Sequence, residues 1–159
     1  MNLTNVVALA TRRMASLPTR VDPTPGPADM PIFGETGAAA LLLLTANIGL
    51  RQQWVRWCTE SGYCVWHSDH ASEGLRAMSS VHIDLLVVDA DLPQMGGCGM
   101  AEYVRAVYPG IRVVLAAPAF ISDADDARMA HLGMPVVTDP GNRSSLVDTI
   151  RDELRLPQQ

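Results

Sequence analysis

Residues Ile83 to Gly97 read Ile-Asp-Leu-Leu-Val-Val-Asp-Ala-Asp-Leu-Pro-Gln-Met-Gly-Gly. Leu85, Leu86, Val87 and Val88 form a continuous aliphatic run with no polar alternation. A strand buried on both faces of a parallel sheet has this pattern, because helices cover both sides. The run stops at Asp89, which places a carboxylate where the strand leaves the sheet. In open α/β sheets that carboxyl end is where ligands and chemistry collect. Pro93, Gly96 and Gly97 predict a loop ahead of the next helix.

Outward from this stretch, strand and helix signals alternate. Upstream, Ala39 to Leu44 is a strand run. Ile48 to Ser61 carries Leu50, Trp54, Trp57 and Cys58 on one stripe and is ended by Gly62, as an amphipathic helix should be. Tyr63 to His67 reads as a short strand and Ala71 to Met78 as a second helix. Downstream, Met100 to Val107 is expected to be helical, with Met100, Tyr103, Val104 and Val107 facing inward and Pro109-Gly110 as its stop. Ile111 to Ala116 is a fourth strand. Ser122 is placed to cap a helix whose first turn holds Asp123, Asp125 and Asp126, where the positive helix end favours carboxylates. Gly133 closes that helix. Val136 to Thr138 is a fifth strand, and Asn142 caps a last helix with an apolar face of Leu146, Val147, Ile150 and Leu154. Five such units predict a flavodoxin-like, doubly wound α/β/α domain with a five-stranded parallel sheet of order 2-1-3-4-5.

Asp89, Leu92, Pro93, Met95 and Gly97 resemble the phosphoacceptor strand and following loop of bacterial response-regulator receiver domains, the CheY-like family. The resemblance extends over Ala39 to about Leu154, with all five strands in order. It implies a site in which two acidic residues after the first strand, the acceptor Asp and a backbone carbonyl two residues on hold Mg²⁺. It further implies a hydroxyl after the fourth strand and a Lys after the fifth against the phosphoryl group. A hard cation takes oxygen ligands, and the transferred phosphoryl needs its charge spread over metal and donors.

This chain departs from that pattern almost everywhere. Thr45 and Ala46 occupy the acidic-pair positions, Ala117 the hydroxyl position, Asp139 the Lys position, and Val136 that of the aromatic switch residue. Asp89 remains, with Asp91 at the carbonyl-donor position. The chain contains no Lys at all; its 12 basic residues are all Arg. Were Asp139 to approach Asp89 within about 5 Å, the two carboxylates would repel by roughly 3 kcal/mol at an effective dielectric near 20. One of them is then expected to share a proton or water with the other. The expectation is a pseudoreceiver: no enzyme, no cofactor and no metal, acting by protein–protein interaction or homodimerisation. Two alternatives accompany it. One is an orthodox phosphoacceptor in which Asp91 or Asn47 rescues metal binding. The other is a small-molecule sensor with a roomier cleft between Thr45, Asp89 and Ala117.

Asp123, Asp125 and Asp126 against Arg143, Arg151 and Arg155 suggest an interaction face formed by the fourth helix, fifth strand and fifth helix. In the receiver family this is the usual dimer surface, and opposite charges suit an isologous contact. A solvated charged surface explains the same residues.

The 159 residues, 48% hydrophobic and 18% charged, suit one core-bearing domain, residues 38–156, with an N-terminal extension over 1–37 and a tail over 157–159. The extension combines helical spacing over Met1 to Leu17 with a proline-punctuated stretch after it. Its Arg12, Arg13 and Arg20 faintly resemble an organelle presequence, which a mostly bacterial domain type argues against. A net charge of −5 disfavours direct nucleic-acid binding. Ala38 to Ala46 is too short to cross a bilayer. Cys58, Cys64 and Cys98 show no metal spacing and an odd count, which fits reduced thiols in the cytoplasm. His67, Asp69 and His70 form a second polar cluster, expected to be a solvated loop rather than a metal site.

Overall fold

A computed structural model describes residues 38–118 and 123–155. Five strands alternate with five helices: β1 (Ala40–Leu44), α1 (Ile48–Glu60), β2 (Cys64–Ser68), α2 (Ala71–Ser80), β3 (Leu85–Asp89), α3 (Gly96–Val107), β4 (Arg112–Ala116), α4 (Asp123–Leu132), β5 (Val136–Val137) and α5 (Arg143–Arg155). The strands form one parallel sheet in the order β2-β1-β3-β4-β5, as the alternation of signals predicts. The expected cap Ser122 and the extension over residues 1–37 lie outside the described residues.

Because successive side chains of a strand point to opposite faces, the aliphatic runs split cleanly between two core layers. Leu42, Leu44, Leu86, Val88 and Leu115 meet Ala77 and Met78 of α2, Met100, Ala101 and Val104 of α3, and Met129 of α4. Leu41, Leu43, Leu85, Val87 and Val114 meet Trp54, Trp57 and Cys58 of α1 with Leu146, Val147 and Ile150 of α5. Each layer excludes water from one face of the sheet, which leaves the strand ends as the places where polar groups gather.

Several elements start or stop away from the sequence expectation, and α3 differs most. It begins at Gly96, not Met100. The loop after Asp89 turns through Gln94 (φ 76°) and Gly96 (φ 73°), and Gly97 then passes against the end of β3. A Cβ on Gly97 would lie 2.3 Å from the Asp89 carbonyl oxygen and 2.5 Å from Ala90 Cα. Only glycine fits there, so the helix can begin directly beside the strand end. Its buried stripe runs through Gly97, Cys98, Met100, Ala101 and Val104. Tyr103 and Val107, expected inside, are 43% and 47% exposed, because at 3.6 residues per turn they fall on the flank of a stripe centred between Met100 and Ala101. Of the two caps read from the sequence, Asn142 lies among the described residues and is in place, and Asn47 caps a further helix. Asn47 Oδ1 accepts from Leu50 N–H (3.0 Å) at the start of α1, and Asn142 Oδ1 accepts from Ser145 N–H (3.1 Å) at the start of α5. Trp54, fully buried, donates from Nε1 to the Pro140 carbonyl at 2.8 Å. That bond ties α1 to the connection between β5 and α5.

All three cysteines are buried and none is in a disulfide. Burial pushes the Cys58 thiol up to about 12, so at neutral pH it stays protonated and unreactive.

Candidate functional site

At the carboxyl end of the sheet, β1 and β3 lie side by side, and their next residues bring Thr45 against Asp89. Both are inside the protein, at 0% and 8% exposure. Thr45 Oγ1 donates to Asp89 Oδ2 at 2.6 Å, and the Asp91 backbone N–H donates to Asp89 Oδ1 at 3.0 Å. Each carboxylate oxygen of Asp89 therefore has a fixed donor. Thr45 Oγ1 is itself accepting from Asn47 N–H at 3.1 Å, which orients its hydroxyl hydrogen toward Asp89. Thr45, which the resemblance sets at an acidic position, thus supplies a hydroxyl donor to Asp89.

The remaining positions follow the carboxyl ends of neighbouring strands and differ in burial. Ala117 is buried at the end of β4, while Ala46, Asp91 and Asp139 are exposed. Asp89 is served by Thr45 and by the Asp91 backbone, and among the described residues no hydrogen bond joins it to Asp139. Asn47, considered above as a rescuing ligand, has its side-chain oxygen committed to capping α1. A cavity of about 290 Å³ reaches Ala117, and its other walls are residues such as Met129, Met134, Val136 and Thr138, between α4 and the end of the sheet. A hard dication takes several carboxylate or carbonyl oxygens. One carboxylate already bound by two donors, beside a Thr and an Ala, does not match that requirement, and the described residues contain no group of three or more His, Cys, Asp or Glu arranged to hold a metal.

A second buried carboxylate escaped the sequence reading. Glu73, in the first turn of α2, is 2% exposed. Its Oε2 accepts from Ser68 Oγ at 2.7 Å, and its Oε1 has no hydrogen-bond partner. Ser68 also connects to the Asp89 site, since its carbonyl accepts from Thr45 N–H at 3.2 Å. Polar contacts thus run from Asp89 through Thr45 and Ser68 to Glu73 across three strand ends. The available signal was the spacing of Glu73 to Ala77, four residues apart on the inward stripe of α2. Ser68→Ala should destabilise the fold by about 1–3 kcal/mol, because Glu73 is then buried with neither oxygen bonded. Equilibrium urea unfolding measures this, and a change under about 0.5 kcal/mol would contradict the assigned role.

The polar cluster after β2 is a hydrogen-bonded loop. His70 Nδ1 lies 2.6 Å from Asp69 Oδ1, and Arg51 Nη1 lies 3.5 Å from Asp69 Oδ2. Partial burial acts to raise the Asp69 carboxyl, but the His70 hydrogen bond and the nearby charges outweigh it and hold the group below the usual carboxylate range.

On the charged face, Asp123 and Asp126 are exposed on α4, and the side chain of Asp125 lies outside the described residues. Two of the arginines expected to meet a second copy already have partners in the chain. Arg143 Nη2 is 3.6 Å from Glu60 Oε2 of α1, and Arg151 Nη1 is 2.8 Å from Asp148 Oδ1 one turn back on α5. Across α3 and α4, Arg128 Nε meets Glu102 Oε1 at 2.5 Å.

Among solved structures, the receiver domain protein (CheY-like) of Methanospirillum hungatei JF-1 superposes with a TM-score of 0.67 at 20% identity. The overlap covers 74% of this chain and 94% of that one. The signal receiver domain of an HD domain-containing protein from Pseudomonas fluorescens Pf-5 gives a TM-score of 0.68 at 20% identity, covering 74% and 94%. Chemotaxis response regulator CheY4 of Vibrio cholerae gives 0.65 at 20% identity, covering 72% and 98%. The chain has the receiver fold. At the sequence level, no family model matches it. Two regulators are similar over 117 residues at 30% identity: the transcriptional regulatory proteins GlrR of Escherichia coli K12 and QseF of Escherichia coli O157:H7. The aligned region is 73% of this chain and 26% of each relative, so the chain spans about a quarter of their length. Within this fold, Asp89 ends β3 with Thr45 bonded to it. No described helix is long and apolar enough to cross a membrane.

Proposed function

We propose that this chain is a receiver-like interaction module of bacterial two-component signalling and gene regulation. Its output is set by contact with a protein partner or a second copy, not by Mg²⁺-dependent phosphorylation of Asp89. The observation that carries this reading is the 2.6 Å bond from Thr45 Oγ1 to Asp89 Oδ2. Attack on a phosphoryl donor needs a free carboxylate lone pair and cationic or hydrogen-bonding groups to spread the developing charge. Here one donor already draws on each Asp89 oxygen, which weakens it as a nucleophile, Ala117 brings a methyl group in place of a hydroxyl, and Asp139 brings negative charge in place of a cation. Similarity to two transcriptional regulators supports the regulatory setting; the reading assigns the chain no catalytic activity and a cytoplasmic location.

For self-association through α4, β5 and α5, Asp123 and Asp126 face solvent, as does Arg155, while Arg143 and Arg151 would first have to leave Glu60 and Asp148. A contact on this face therefore draws on fewer free charges than the sequence suggests, and exposed pairs contribute little individually.

The test is incubation of the full chain with Mg²⁺ and acetyl phosphate, followed by intact-mass spectrometry. The unmodified mass is expected throughout. A phosphate adduct that maps to Asp89 would overturn the proposal.

A further inference from the structure

At the opposite end of the sheet from Asp89, Tyr63 stands just before β2, Asp84 just before β3 and Arg112 at the start of β4, while Arg151, Leu154 and Arg155 come from the last turns of α5. These residues line one open groove of about 580 Å³. We propose that the groove binds a phosphorylated small molecule of the nucleotide class, its phosphate held by Arg151 and Arg155 and its ring laid on Tyr63. The site does not involve Asp89, so it holds or fails independently of the function proposed above.

Charge is the first support. Three guanidinium groups line the groove against one carboxylate. That carboxylate, Asp84, already has Ala40 N–H at 2.8 Å and His82 Nε2 at 2.7 Å, so positive charge is in excess among the lining residues. Arg155 in the last turn suits the negative end of α5, but that account does not extend to Arg112, which comes from β4. Burial raises the Tyr63 hydroxyl, and the charges of Arg151 and Arg155 pull it back, so both cations converge on one part of the groove. Arg112 Nη1 donates to the Glu153 carbonyl at 2.5 Å, which fixes the end of α5 against the start of β4. Arg151 also meets Asp148 at 2.8 Å. That exposed pair contributes little, and a guanidinium has five N–H donors, enough to serve a second acceptor.

The second support is the match between lining and ligand. Arg151 and Arg155 are four residues apart on one helix and so share a face. Their planar forks fit phosphate oxygens bidentately. The half-buried ring of Tyr63 and the side chain of Leu154 form an apolar wall, and an aromatic ring accepts a stacked base of any identity. A volume of about 580 Å³ falls among sites that enclose small organic ligands, not single ions. A net charge of −5 on the chain repels a long polyanion, which favours a single nucleotide over a nucleic acid.

The test is calorimetric titration of the full chain, in chelator, with AMP, GMP, adenosine and inorganic phosphate. AMP or GMP should bind with a Kd below about 1 mM, more weakly as salt rises. Adenosine and inorganic phosphate should each bind at least about ten-fold more weakly, since each lacks one half of the contacts. Arg151→Gln and Arg155→Gln should each weaken nucleotide binding about ten-fold or more, the loss of a charge-assisted contact. Both side chains are exposed on α5, so the fold should survive, and Arg128→Gln, on α4, should leave the affinity unchanged. Failure of both nucleotides to bind below about 1 mM would overturn the proposal, as would binding indifferent to Arg151 and Arg155. Inorganic phosphate binding as tightly as AMP and GMP would overturn it too, by showing that the ring adds nothing.

Discussion

Replacing Thr45 and Ala46 together by Asp is expected to convert a metal-indifferent domain into one whose melting temperature depends on Mg²⁺. In the wild type a hydroxyl hydrogen fills the 2.6 Å contact to Asp89 Oδ2. A carboxylate at residue 45 removes that donor and sets like charges face to face. At about 4 Å and an effective dielectric near 20, their repulsion is on the order of 4 kcal/mol, a large share of the roughly 5–15 kcal/mol that holds a domain folded. In chelator the double variant should therefore melt on the order of 10–20 °C below the wild type. Added Mg²⁺ should recover most of the difference, since a bound dication turns the repelling oxygens into ligands. Thermal melts of both proteins in chelator and in Mg²⁺ measure this. Stabilisation of the wild type by Mg²⁺ would show that its present residues already hold the ion, and the reading of Thr45 as a plug would fail.

Gly97→Ala should be about as damaging, for a purely steric reason. The added methyl would stand 2.3 Å from the Asp89 carbonyl oxygen and 2.5 Å from Ala90 Cα. Both are backbone atoms, so no rotamer change relieves the clash. Either α3 retreats from the end of β3 or the Asp89–Ala90 peptide shifts, and the bond from Gly97 N–H to the Ala90 carbonyl (3.1 Å) is strained with it. A cost of about 3 kcal/mol or more follows for overpacking that cannot relax. Gly110→Ala serves as the control. No atom lies within 4 Å of its added Cβ and its backbone is not left-handed, so the change should be neutral or stabilise by about 0.4–1 kcal/mol. Equal effects of the two substitutions in urea unfolding would refute the steric account.

Much of this molecule was legible before any coordinates. The aliphatic runs at Leu41–Leu44, Leu85–Val88 and Val113–Leu115 are local signals, since a strand covered on both faces must be apolar at every position. Caps such as Asn142 are equally local, because the side chain bonds an amide three residues away. These features determined the element order, and with it the parallel sheet and the place of Asp89 at a strand end. The failures have a common cause. The inward face assigned to Tyr103 and Val107 depended on how α3 is rotated about its axis, and that rotation is set by the contact of Gly97 with β3, not by composition.

The site divides along the same line. The sequence supplied the identities Thr45, Ala46, Ala117 and Asp139, which the resemblance to receiver domains sets at the acidic-pair, hydroxyl and Lys positions. Only the tertiary structure decided what the replacements do. Thr45 and Asp89 are 44 residues apart in the chain, and their 2.6 Å contact exists because β1 and β3 pair in one register. Glu73 is buried because α2 turns its first turn toward Ser68, and Asp139 is exposed while Asp89 is buried. Residue identity is local information; which oxygen faces which hydrogen is decided only when distant segments pack.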